Sequence, residues 1–319
     1  MLQASERSLH EQYDAALLDL DGVLYLGSDP VPHAADAVAA ARATGMKAAF
    51  VTNNSSRRAE AVAAHLGELG IPTDVQDVVT SSQAAARYLR QRLDPGARVL
   101  VIGSDGLAEQ LAEAGLAPQR EADGAVAVVQ GLEPRTAWSD LAEAAVAIEA
   151  GALWVAGNTD STYPSPRGLL PGNGAMVAAL THTTGKLPVV VGKPEPELFA
   201  ASVERVAAQR PLVVGDRLDT DVLGANRAGV DALLVLTGVT TREQLLSAVP
   251  EMRPTYVSSD LRGLTEAHPE VSVDGDEARC RDARAWVEDG AVRGSDDSDD
   301  ALRAMCQLAW SRAELRSGS

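Results

Sequence analysis

The apolar run Ala15-Ala16-Leu17-Leu18 stops abruptly at Asp19-Leu20-Asp21-Gly22-Val23. A continuous apolar segment too short for a helix is a strand buried on both faces, which calls for a parallel sheet covered by helices. Ligands of such sheets gather beyond the carboxyl ends of the strands, where Asp19 and Asp21 stand. Residues two apart on an extended chain point the same way, so the two carboxylates repel unless a cation joins them. A Mg²⁺ ion beside a nucleophilic Asp19 satisfies this pattern. An ordinary Asp-Gly turn capping the strand satisfies it too.

The unit of strand, polar loop and helix then recurs. Pro32 opens an Ala-rich helix that Gly45 ends, and the strand 47–51 closes on Thr52-Asn53-Asn54-Ser55-Ser56 before a helix over 57–69. Small hydroxyl and amide residues at a helix N-terminus hold an anion or simply cap the helix. From Val78 a second α/β series is expected, with helices over 83–93, 107–114 and 136–150 and strands over 98–102, 125–129 and 153–156. The Gly-, Pro- and Asn-rich stretch 157–174 reads as a long irregular loop, the kind that is functional or disordered. Its Gly172-Asn173-Gly174 lacks the third glycine of a dinucleotide loop, since Val177 stands there.

A strand over 188–191 ends in Gly192-Lys193-Pro194, where the ammonium either meets an anion or is merely solvated. Another strand, 212–214, runs into Gly215-Asp216-Arg217-Leu218-Asp219-Thr220-Asp221, more carboxylates than a helix cap needs. The segment 231–236 is the last core strand expected. Beyond Thr255 the sheet pattern fades, leaving two short strands within 271–294 and a helix over 301–315.

Composition narrows the function. A net charge of −17 excludes nucleic acid and anionic membrane as partners, because both would repel the chain. Aromatics at 3% favour helices on a parallel sheet over a β-sandwich. Cys280 and Cys306 form no metal-binding or disulfide pattern, the opening residues are polar and no run is long enough to span a bilayer, so a reducing cytoplasm is expected.

In a single parallel sheet the four strand ends would meet at one edge. Together the motifs Asp19-Leu20-Asp21-Gly22-Val23, Val51-Thr52-Asn53-Asn54-Ser55, Gly192-Lys193-Pro194 and Gly215-Asp216-Arg217-Leu218-Asp219-Thr220-Asp221 make the chain resemble the haloacid dehalogenase-like phosphatases. The long segment between the second and third motifs resembles the large α/β cap of the p-nitrophenyl phosphate, phosphoglycolate and glycerol-phosphate phosphatase branch. The resemblance implies a Rossmann-like α/β core at 1–79 plus 186–262, an inserted α/β cap at 80–185 and a small C-terminal extension at 263–319. The acidic tail resembles that of actinobacterial glycerol-phosphate phosphatases.

The same resemblance implies residue roles. Asp19 attacks phosphorus and becomes an aspartyl phosphate, while Asp21 protonates the leaving oxygen and later deprotonates water. Mg²⁺ is held by the Asp19 carboxylate, the Asp21 carbonyl and Asp216, with Asp221 ordering waters beyond. Thr52, Asn53 and the main chain at Asn54 bind phosphoryl oxygens, and Lys193 neutralises charge. Tyr163, before Pro164 in Asn158-Thr159-Asp160-Ser161-Thr162-Tyr163-Pro164, stands where pyridoxal phosphate-binding relatives have histidine, which disfavours that substrate. A small phosphorylated metabolite is implied, glycerol 3-phosphate first and phosphoglycolate second, together with a homodimer formed through the cap. A phosphomutase or a non-catalytic binding protein are the other classes, disfavoured by the large cap and by the intact motifs.

Overall fold

The computed structural model describes residues 1–54, 58–165 and 168–317, without the side chains of 163–165 and 316–317. The chain divides into two compact units, one of 1–50, 66–73 and 203–319 and the other of 51–65 and 74–202.

The first unit is built on parallel strands in the order Tyr256–Ser258, Asp231–Val235, Pro211–Gly215, Ala15–Leu18 and Lys47–Thr52. Ala15–Leu18 has parallel neighbours on both sides, pairing Leu18 with Val214 and with Phe50. All four of its side chains are buried, as a central strand covered on both faces demands. Burying Leu17 and Leu18 contributes roughly 1.5–3 kcal/mol each. Tyr256–Ser258 is one core strand more than expected, since three residues are too few to show a periodicity.

The tail adds to this unit. Where two short strands were expected, an antiparallel sheet of four forms, Ser272–Asp274, Glu277–Cys280, Ala283–Glu288 and Ala291–Gly294. Its inward side chains are mostly Ala and Cys, too small to mark a hydrophobic face in the sequence. Ala278, Cys280 and Ala285 pack on Ala304 and Leu308 of the helix Asp299–Ser317. Cys280 and Cys306 are buried thiols, with no disulfide.

The second unit holds five parallel strands in the order Val189–Val190, Leu153–Ala156, Ala127–Gln130, Arg98–Ile102 and Ala117–Gln119. Its core joins Leu100, Val128 and Trp154 to Ala144 and Ile148 of Trp138–Glu149 and to Val177 and Leu180 of Asn173–Thr184. Thr80 and Gln83 form a reciprocal capping box that starts the helix Ser81–Arg90.

Two expectations are corrected here. The stretch 157–174 is not wholly irregular, because Thr162–Ser165 and Gly168–Pro171 pair as an antiparallel hairpin. The strand before Lys193 is Val189–Val190 and pairs with Leu153–Ala156, so it belongs to the second unit's sheet rather than to the sheet of Ala15–Leu18. Two apolar residues are compatible with either sheet, and tertiary pairing selects between them. Among the described residues no helix is long and apolar enough to cross a membrane.

Candidate active site

Asp19 follows the central strand directly, and its N–H still donates to the Val214 carbonyl at 2.8 Å. The chain then turns sharply: the Leu20 carbonyl accepts from the N–H of Leu24 at 2.9 Å, and the Gly22 N–H donates to Tyr25 at 2.8 Å. Gly22 sits at φ +84°, and a side chain there would place its Cβ 2.4 Å from an Asp216 oxygen. Leu20 is buried and Asp21 exposed, so the turn sends the second aspartate into solvent.

Asp216 follows the adjacent strand Pro211–Gly215 and is fully buried. Its Oδ2 accepts from the Val239 N–H at 2.6 Å. Asp221 lies in a π-helical turn, Leu218–Val222, with only 1% of its surface exposed. Its carboxylate accepts from the Arg217 N–H at 3.1 Å. Turns of this kind are frequent at functional sites because they re-aim one side chain out of helical register. Asp219 separates from the other two and pairs with the Arg217 guanidinium at 2.8 Å, which holds its carboxyl below the usual carboxylate range.

Asp19, Asp216 and Asp221 each offer an oxygen, and these lie within 4.8 Å of one another. Three ionised carboxylates at that separation repel by about 3 kcal/mol per pair at an effective dielectric of about 20. An all-oxygen donor set matches a hard divalent cation such as Mg²⁺ and offers nothing to a soft one. The donor set therefore fits the expected metal. The Asp221 carboxylate stands within this cluster. The carboxylate of Asp21 is not part of this cluster.

A second group of predicted residues comes together in the other unit. Thr52 is buried at the end of Lys47–Thr52, and its Oγ1 accepts from the Asn54 N–H at 3.1 Å. The Asn53 carboxamide bonds the main chain of Lys193 twice, donating to its carbonyl at 3.1 Å and accepting from its N–H at 2.7 Å. The Asn53 carbonyl accepts from Ser81 Oγ and from Asn158 Nδ2, both at 2.8 Å. Lys193 is only 4% exposed, with Nζ 5.9 Å from the centre of the Phe199 ring. Gly192 has no room for a side chain, since a Cβ would stand 2.2 Å from the Gly157 carbonyl oxygen.

The Asn53 side chain, at a position expected to bind phosphoryl oxygens, clasps the main chain of Lys193. Ser55 and Ser56 of the same motif lie outside the described residues, as does the side chain of Tyr163. The main chain of Tyr163 pairs with Leu170 in the hairpin. The sequence reading missed Ser81 and Asn173, whose Nδ2 donates to the Asn158 carbonyl at 2.7 Å. Each is the first residue of its helix, a position that carries no functional signal.

Comparison with known proteins identifies the family. Residues 16–117 match the haloacid dehalogenase-like hydrolase family model, and residues 190–264 match a second, HAD-hydrolase-like model. The chain is 52% identical over 259 residues to D-glycerol 3-phosphate phosphatase of Mycobacterium tuberculosis, covering 81% of this chain and 72% of that one. It is 36% identical over 253 residues to acid sugar phosphatase of Staphylococcus aureus, covering 79% and 96%. The crystal structure of glycerol phosphate phosphatase from Mycobacterium tuberculosis in complex with magnesium superimposes with a TM-score of 0.85 at 45% identity, over 96% of this chain and 92% of that chain. The carboxylate cluster beyond a central parallel strand and the extent of these matches give one conclusion: the chain belongs to the haloacid dehalogenase-like hydrolases.

Proposed function

We propose that the protein is a Mg²⁺-dependent phosphatase that hydrolyses glycerol 3-phosphate through an aspartyl phosphate. The observation that carries this is the cluster of Asp19, Asp216 and Asp221 at the ends of two adjacent strands. The 52% identity to a D-glycerol 3-phosphate phosphatase supports the choice of substrate.

In the proposed reaction an Asp19 oxygen attacks phosphorus, and the bond from phosphorus to the glycerol oxygen breaks. Asp21 delivers its proton to that departing oxygen. A water then attacks the phosphorus of the aspartyl phosphate, Asp21 takes its proton, and the bond to Asp19 breaks to release phosphate. Asp21 is exposed. Mg²⁺ held by Asp19, Asp216 and the Asp21 carbonyl, with Asp221 ordering its waters, would offset the charge of the phosphoryl group and of the nucleophile. To Thr52, the N–H groups of Asn53 and Asn54, and Lys193 we assign the phosphoryl oxygens, and to Tyr163 a part in substrate choice.

We take 1–79 with 186–262 as the catalytic core and 80–185 as the cap that selects small substrates. A homodimer through the cap belongs to the same proposal, as does a cytoplasmic location. Trp138, 83% exposed on Trp138–Glu149, supplies apolar surface for a partner copy.

Turnover of glycerol 3-phosphate, phosphoglycolate, pyridoxal phosphate and p-nitrophenyl phosphate, with and without Mg²⁺, tests the assignment. Glycerol 3-phosphate is expected to give the highest kcat/KM, and only with Mg²⁺. Absence of turnover on every ester would overturn the phosphatase assignment, and a better phosphoglycolate rate would overturn the substrate.

A further inference from the structure

The buried Asp216 carboxylate lies between two glycines distant in sequence. A Cβ on Gly22 would fall 2.4 Å from Asp216 Oδ2, and one on Gly238 would fall 2.0 Å from the same atom and 2.8 Å from Gly22 Cα. Gly238 belongs to the segment 237–240, which follows the strand Asp231–Val235 and precedes the helix Arg242–Leu246. That segment touches both sides of the metal cluster. Thr237 Oγ1 donates to the Gly22 carbonyl, the Val239 N–H donates to Asp216 Oδ2 at 2.6 Å, and the Thr240 N–H donates to the Asp216 carbonyl at 3.2 Å.

These contacts divide the work. The Val239 and Thr240 N–H groups fix Asp216 at its carboxylate and its main chain, so the side chain cannot rotate about χ2 without losing a charge-assisted hydrogen bond. Thr237 holds the turn that carries Asp19 and Asp21 by its Gly22 carbonyl. The glycine between them lets the backbone approach the carboxylate more closely than any other residue would allow.

The far end of the segment is anchored as well. Thr241 and Gln244 form a capping box at the start of Arg242–Leu246, whose Leu245 carbonyl accepts from the buried Trp310 Nε1 at 3.1 Å. Arg242 pairs with Asp297 at 2.9 Å. The strap is thus tied to the tail helix at one end and to the carboxylate cluster at the other.

From this geometry we infer that segment 237–240 is a positioning strap for the metal site, with Thr237 and Gly238 setting its affinity for Mg²⁺ without touching substrate. The inference rests on the metal-dependent reading above and extends it to residues outside the four motifs.

Calorimetric titration of Mg²⁺ into the substrate-free full-length protein tests it, with parallel measurement of kcat and KM. Thr237→Val is expected to weaken Mg²⁺ binding about tenfold, the low end for residues that orient metal ligands. At saturating Mg²⁺ the KM for glycerol 3-phosphate should be unchanged, and Thr237→Ser should restore Mg²⁺ affinity because it keeps the hydroxyl. Gly238→Ala should weaken Mg²⁺ binding by a different route, crowding Asp216, and remains informative if Thr237→Val does not fold. A parent protein that binds no Mg²⁺ would defeat the functional reading itself. A parent that binds Mg²⁺ with both folded variants matching it would overturn the strap alone.

Discussion

The side chain of Asn53 and the main chain of Lys193 hold each other by a reciprocal pair of hydrogen bonds, at 3.1 and 2.7 Å, across 140 residues of sequence. The lysine's backbone is thereby tied to the loop that follows Thr52. With Lys193 nearly buried, its ammonium has little freedom to compensate for a backbone shift.

Replacing Asn53 by Ala removes both bonds and is expected to cost about 2 kcal/mol of stability, near 1 kcal/mol for each. Misplacing the lysine by about 1 Å should lower kcat/KM by roughly 10²-fold. Denaturant melts and steady-state kinetics on the one variant measure both effects. A variant with parental kcat/KM would show that Lys193 is positioned without Asn53.

Asp19→Asn should have no detectable turnover, since an amide cannot serve as the attacking oxygen. Asp21→Asn should accept the phosphoryl group from an activated ester and release it slowly, because no base remains for the attacking water. Intact-mass spectrometry after brief exposure to substrate should find one added phosphoryl group on the Asp21 variant and none on the Asp19 variant. Multiple turnovers by Asp19→Asn would exclude the covalent route.

Carboxylate crowding predicts a crossing of stabilities. In chelator, Asp216→Asn should melt at a higher temperature than the parent, because it removes one charge from the cluster. With Mg²⁺ at about a hundred times its Kd the parent should gain about 2.7 kcal/mol and the variant much less, so the order reverses. Calorimetry in chelator and in Mg²⁺ reads the crossing directly, and parallel shifts in the two proteins would argue against a metal at Asp216.

His268 supplies a pH dependence remote from the metal cluster. It is 1% exposed, its Nε2 lies 2.9 Å from the Gly263 carbonyl, and burial, reinforced by the Arg303 guanidinium, pushes its pKa from 6.5 down to about 4. The unfolded chain binds this proton between those values and the folded one does not, so stability is full above pH 6.5 and falls as the pH drops toward 4. The loss is of order 3 kcal/mol, about 1.4 kcal/mol for each pH unit of the interval. Asp299 and Asp300 act the other way. His268→Gln should flatten this part of the stability curve, and an unchanged slope between pH 4 and 6.5 would assign it to other groups.

The sequence by itself determined the local chemistry. Ala15–Leu18 had to be a strand buried on both faces, because four apolar residues ending in two aspartates leave no polar face to expose. The same logic placed Asp216 at a strand's end and foresaw that too many carboxylates followed it. Strand 153–156 was read to the residue, its apolar run being bounded by Gly151 and Gly157.

Tertiary structure alone decided how closely Asp19, Asp216 and Asp221 cluster, which sheet the strand before Lys193 joins and what covers Asp216. Asp219 and Asp221 are two residues apart and chemically identical, yet a π-helical turn sends one to Arg217 and the other to the cluster. The clasp of Asn53 on Lys193 and the strap 237–240 are contacts between segments far apart in the chain. Hydrophobic periodicity reports the face a residue buries against its own element's neighbours. It holds no record of pairings whose strength lies in two or three directional hydrogen bonds, because those exist only once the strands have assembled.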